Sequence, residues 1–402
     1  MPVLLDAIPE KATKVQRPDT RRWLLFLAFV MLGGIALTLW NWTTERTGFI
    51  FWFTALGLPF CSWGLLFSLR RFAYKAEQVG AESRNLEREA LIENEICRGQ
   101  RCAWVLDTSV QHLSGNSPGA LVKAVNRAIP FSESSTPRGS TSAIRYAALS
   151  SFQTDLDAEL ISATSTLVAR IQSIAGTLPE DIPCCLMLDC DDDIRPRLEE
   201  HFRNELTART GRVFRLLSDK GLAAFDRWLD KRWDAPGILA AVTFSLPALS
   251  DEGDADAITL VVLSNRKAAG YPDAVCLHRP EKGQETRLEK TLGRALLWAA
   301  TVPGELKAAW HTGPVLSSSS GWNKACEDNG VTFSLSEDNR SIDPTLGYAG
   351  RAASWLAIIL ASAVCEENGA QVIAAQPAAD KDDIWVAVIT KVEVRKGTPK
   401  NV

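Results

Sequence analysis

The chain has 402 residues, 46% of them apolar, and a formal net charge of −4. That length suits one large domain with additional elements, and the slight acidic balance excludes a dedicated nucleic-acid binder, which carries a basic face. Nine cysteines are scattered through apolar runs; an odd, unpaired set of this kind fits buried reduced thiols rather than a secreted disulfide framework.

Residues 1–22 carry Lys11, Lys14, Arg17, Arg21 and Arg22. Residues 23–42 (WLLFLAFVMLGGIALTLWNW) and 48–69 (GFIFWFTALGLPFCSWGLLFSL) contain no charge. Each has the roughly 20 residues that cross a bilayer. A five-residue link, Thr43 to Thr47, makes them an antiparallel hairpin. Trp23, Trp40, Trp42 and Trp52 fall near the ends, where amphipathic rings favour the interface. The first segment is too long for a signal peptide and a second span follows at once. Arg70, Arg71 and Lys75 follow the second span, whereas the link holds Arg46 beside Glu45. The positive-inside rule then gives a multi-pass protein of the bacterial inner membrane, with the lipid bilayer as its first partner and both termini cytoplasmic.

Residues 76–98 read as a polar linker helix. Residues 101–392 alternate short apolar runs with longer amphipathic ones, in halves of about 101–266 and 267–392. Strands are expected at 102–106, 182–188, 213–217, 238–246 and 257–264, with helices at 156–175, 196–206 and 221–233. Residues 130–142 read as a loop. In the second half strands are expected at 274–277 and 307–310, helices at 285–300 and 349–365, a flexible serine run at 317–320, and a closing hairpin at 372–375 and 384–390. Such alternation is a layered α/β domain. Residues 393–402 form a basic tail.

Four segments carry a family resemblance over roughly residues 140–392. These are FRLLSDKGLAAFDRWL from Phe214 with GILAAV from Gly237, DEGDADAITLVVL from Asp251, WHTG from Trp310, and TLGYAGRAASWL from Thr345. Their order resembles the thiolase fold of β-ketoacyl synthases, with its nucleophile turn, Glu-Gly turn, His-Gly-Thr-Gly loop and Gly-His segment. The resemblance implies a thiolate at a helix N-terminus, where dipole and donors lower its pKa. Ser218 stands at that position. Trp310 takes the place of the first catalytic histidine, with His311 one position off. Tyr348 takes the second, and Asp343 that of the supporting lysine. The resemblance therefore implies a pseudo-enzyme that kept a scaffold, and a pairing of two chains as in other thiolase-fold domains. A degenerate thiolase-like domain on a membrane anchor also resembles the accessory adaptors of type VI secretion lipase effectors, which implies a secreted effector or the secretion apparatus as protein partner.

Other constellations point elsewhere. Asp189 and Asp191 have the Asp-x-Asp spacing of haloacid-dehalogenase phosphatases, where one carboxylate attacks phosphorus beside Mg²⁺; an acidic cap on the following helix is the simpler reading. Cys184, Cys185 and Cys190 lack the paired spacing of structural zinc. The four histidines (His112, His201, His278 and His311) show no i, i+4 pairing with an acid, so no metal or cofactor is expected. Ser218 with His311 could form a hydrolase pair, but no G-x-S-x-G elbow surrounds the serine. An altered acyl-processing enzyme and an Asp-based phosphatase are the enzymatic alternatives.

Overall fold

The computed structural model describes residues 5–43, 46–231, 233–377 and 382–391, so the basic tail at 393–402 and part of the 43–47 link lie outside the described residues. It divides into two compact units at Glu95/Ile96.

In the first unit, Asp19 caps the helix Thr20–Asn41 by accepting from the Arg21 N–H at 2.9 Å. The second helical segment starts at Phe49–Trp52, passes through a π-turn at Phe53–Gly57, and continues as an α-helix over Leu58–Gly99. Pro59 explains the turn. Its ring would press on the carbonyl one turn back, and the π-register, in which the Leu58 N–H reaches the Phe53 carbonyl, relieves that. The two helices meet at Gly34, where an added Cβ would fall 2.2 Å from the Pro59 ring. Nearer the start of the first helix, the Trp63 indole donates to the Trp23 carbonyl at 2.9 Å. Leu25, Phe29, Leu37, Phe49 and Ile50 remain exposed. Both segments are long and apolar enough to cross a membrane. Beyond the apolar part, the chain before the hairpin returns along the polar helix. Arg88 donates to the Pro9 carbonyl at 2.7 Å, and Ala12 N–H to Asn85 Oδ1 at 2.9 Å.

Among the described residues, the second unit has thirteen strands. These are β1 (Cys102–Gln111), β2 (Ser134–Ser135), β3 (Ile144–Arg145), β4 (Cys184–Cys190), β5 (Phe214–Leu216), β6 (Ile238–Ser245), β7 (Ala257–Ser264), β8 (Cys276–His278), β9 (Glu281–Gly283), β10 (Ala308–Thr312), β11 (Asn339–Ser341), β12 (Gln371–Ala375) and β13 (Ile384–Thr390). The path β5-β4-β6-β7-β1 meets the path β8-β13-β12-β10-β11 through an antiparallel β1–β8 pair. If the main strands of each half are counted one to five in chain order, both halves read 3-2-4-5-1 outward-in. In both, strand five (β7 or β13) runs antiparallel to its two neighbours on this path while the outer three strands are mutually parallel. The unit is thus a duplication in topology about an axis between β1 and β8.

Parallel neighbours need crossovers, and helices supply them. Leu156–Ala175 and Arg195–Thr210 bury one face each against β4, β6 and β7, in a core that includes Leu167, Phe202 and Val242. Leu288–Ala299 and Gly321–Asp328 do the same for the second half, around Leu292, Trp322 and Val386. Gly221–Lys231 and Ala353–Asn368 lie in one core shared by strands of both halves. Phe225 of the first meets Trp355 of the second edge-on at 6.4 Å. A helix covered on two sides must be apolar nearly all round, and ASWLAIILASAV from Ala353 is that sequence.

One expected loop is ordered. Within the serine run at 317–320, Ser317 and Ser318 belong to a helix, Pro314–Ser318. The Asp343 carboxylate takes the Gly313 N–H at 2.7 Å and the Ser317 hydroxyl at 3.1 Å, fixing backbone that composition alone would leave free. Trp355→Ala is expected to cost about 3–5 kcal/mol. Because the core is shared, thermal unfolding of the detergent-solubilised chain should shift as one transition. Two separate transitions would contradict a common core.

Candidate functional site

The two central helices begin alike. Gly221 opens the first with φ +55°, and Gly350 opens the turn leading into the second with φ +50°. Both conformations are left-handed, a region that L side chains rarely adopt. At Gly221 the constraint is conformational, since an added Cβ would meet only Asp189 Oδ2 at 3.8 Å. Both glycines line one cleft of about 620 Å³, together with Asp189, Asp191, Tyr348 and Arg351. The topology relates these two helix starts, so the axis of duplication brings two positive helix ends to the same opening.

Arg351 pairs with two of the cleft's carboxylates. Asp189, at the end of β4, is 5% exposed, and its Oδ1 makes no hydrogen bond. Burial pushes its carboxyl up, while Arg351 and Lys220 pull it down. Arg351 Nε lies 3.0 Å from Asp191 Oδ1, and an Nη lies 3.8 Å from Asp189 Oδ1. Asp191 Oδ2 accepts the Leu246 N–H at 3.2 Å. The guanidinium therefore supplies the positive charge to this Asp-x-Asp pair.

A second acid pair flanks the cleft. The Tyr146 hydroxyl donates to Asp256, which also takes the Leu149 N–H at 3.0 Å. Burial pushes Asp256 up to about 6. No sequence pattern marks it, because its partner is 110 residues away.

The structure distributes the residues singled out by the sequence. Ser218 is exposed and lines a different cavity of about 460 Å³, with Arg227, Trp228 and Lys231. The residue at the helix start is Gly221, three positions on. Trp310 faces the central core, donating its indole N–H to Gln371 at 3.1 Å. His311, the next residue on β10, therefore faces the outer layer. Its Nδ1 bonds Asn339 Oδ1 at 3.1 Å, and burial pushes its pKa down to about 4. Among the described residues no hydrogen bond joins Ser218 to His311.

Asp343 caps the β10 loop, and burial raises its carboxyl against three hydrogen bonds. Tyr348 donates to the Gln376 carbonyl at 2.9 Å, and Gln376 N–H bonds the Thr312 carbonyl at 3.0 Å. Asp343 and Tyr348 thus share one network, and Tyr348 also reaches the cleft.

The architecture is that of solved ketosynthases. One match is the ketosynthase of a type II polyketide synthase, solved with its acyl-carrier protein: 12% identity, TM-score 0.50, 73% of this chain and 99% of that one. Another is an oxazolomycin ketosynthase domain from Streptomyces albus JA3453: 10% identity, TM-score 0.51, 74% and 77% coverage. A third is a ketosynthase–chain length factor protein: 8% identity, TM-score 0.51, 73% and 43% coverage. At these identities the likeness shows the fold, which is thiolase-like. No protein-family model and no curated protein matches the sequence.

Replacing Arg351 with Ala removes the cation that pairs with Asp191 and lies nearest Asp189, leaving Lys220 in the cleft. Arg351 is 39% exposed at its side chain, so solvent screens the pair. A loss of roughly 1–2 kcal/mol at pH 8 is expected. Asp189 is raised above its unfolded value, so its protonated form favours the fold at low pH and that contribution fades as pH rises through the folded pKa. The deficit should therefore shrink in denaturant titrations as the pH is lowered from 8 toward the acid limit of folding, where Asp189 is protonated. A deficit that grows toward acid would contradict this pairing.

Proposed function

We propose that this chain is a membrane-anchored accessory protein whose thiolase-like domain acts by binding, without acyl transfer. The observation that carries the reading is Gly221. Thiolate chemistry in this scaffold needs a nucleophile at the start of a buried helix, and that position holds a residue with no side chain. The enzymatic alternatives find less support. Ser218 is exposed on another cavity, and the Arg351 guanidinium lies against Asp189 and Asp191 where a phosphatase would place a metal cation.

The anchoring reading draws on the two apolar helices. The segment around residues 9–12 runs along the polar helix near residues 85–89, which supports placing both ends of the hairpin on one side of the bilayer. The basic flanks favour the cytoplasmic side of an inner membrane. The partner in this reading is a secreted effector or a secretion apparatus of the type VI kind, with pairing of two chains as the assembly.

Intact-mass measurement after incubating the detergent-purified chain with acyl thioesters tests the non-catalytic reading. The expected result is an unchanged mass, and full biological complementation by Ser218→Ala. An acyl adduct on any side chain, or loss of complementation, would overturn it.

A further inference from the structure

Away from the cleft, two cysteines and a histidine converge where the halves meet. In the β1–β8 pair, Cys102 stands opposite His278 and Trp104 opposite Cys276. Residues two apart on a strand share a face, and so do direct antiparallel partners. Cys276, His278 and Cys102 therefore point to one side of the sheet. Their ligand atoms all lie within 4.8 Å of one another.

The donor geometry suits a cation. His278 is 8% exposed. One nitrogen, Nε2, meets the Thr390 hydroxyl at 2.8 Å; the other, Nδ1, is buried with no hydrogen-bond partner. A proton on Nε2 donated to Thr390 leaves the Nδ1 lone pair free, the arrangement in which an outer hydrogen bond orients a ligating imidazole. Cys276 is fully buried, whereas Cys102 is half-buried and gives access from outside.

We propose that Cys102, Cys276 and His278 bind a thiophilic divalent cation, zinc foremost, at the β1–β8 seam. Two thiolates and one neutral imidazole are a donor set that selects zinc over magnesium or calcium. Both thiols give up their protons to solvent on binding, and no electron moves. Three protein ligands leave a fourth position for water. The bound ion would tie the first strand of one half to the first strand of the other. Cysteine spacing alone does not reveal the site, because Cys276 and His278 are two apart on a strand and Cys102 comes from the other half.

Cobalt(II) is the probe. The full-length chain is purified in detergent under anaerobic, reducing conditions, stripped with chelator and titrated. One cobalt per chain is expected, with the intense visible bands of a tetrahedral site and a near-ultraviolet sulfur-to-cobalt band, both bleached by zinc. Cys276→Ser and His278→Gln should each weaken binding at least tenfold. Cys61→Ser with Cys97→Ser, which removes exposed thiols outside the cluster, should leave it intact. Zinc should also raise the melting temperature of the unaltered chain, a readout that needs no variant to fold. No sulfur-to-cobalt band in the folded chain, an undiminished band in the site variants, no zinc-dependent rise in melting temperature, or a Cys102–Cys276 disulfide in the anaerobic protein would each overturn the proposal.

Discussion

The central helix layer is the constraint on which the second unit depends. Gly221–Lys231 and Ala353–Asn368 lie in a core that both halves share; the second is apolar nearly all round, whereas the first keeps Arg227 and Lys231 exposed on its outer face. Trp355, Ile358, Ile359 and Leu360 are fully buried as a result. The polar ends of such helices can only appear at their termini, and the duplication brings both N-terminal ends to one cleft. In this chain that opening holds two glycines and an aspartate–arginine cluster.

Much of the architecture was legible because burial writes directly into sequence. ILAAVTFS at β6 and AITLVVLS at β7 are buried at every position and read as strands from their unbroken apolar runs. The long central helix was legible for the same reason. Elements that are fixed by distant polar contacts were not. The helix Pro314–Ser318 depends on Asp343, and the helix Gly321–Asp328 is short and mostly polar. The duplication itself leaves no repeat in the sequence. It survives as strand order, because the two halves fill their cores with different side chains, Phe202 and Phe244 in one and Trp322 and Leu292 in the other.

The site was less legible than the fold. Aligning Ser218 with a nucleophile treats the turn after β5 as short, whereas that strand ends at Leu216 and the helix begins only at Gly221. A shift of three residues moves a side chain from one cavity to another. His311 was a candidate by proximity in sequence, yet alternation along β10 sends it to the outer layer while Trp310 faces inward. Asp189 and Asp191 stood out as an acidic pair, but Arg351 lies 160 residues from Asp191, and no local pattern announces it. Long-range pairing of this kind decides whether two carboxylates hold a metal or a guanidinium.

The chain joins a thiolase-like scaffold to two helices apolar enough to cross a membrane, and the role proposed for it is contact with other proteins. Affinity purification of the full-length chain from its native membrane, read by quantitative mass spectrometry, tests that claim most directly. Recovery of secretion-apparatus or effector proteins in proportion to the bait is the predicted result. Recovery of acyl carrier protein or lipid-synthesis enzymes in their place would contradict it and return the scaffold to acyl chemistry.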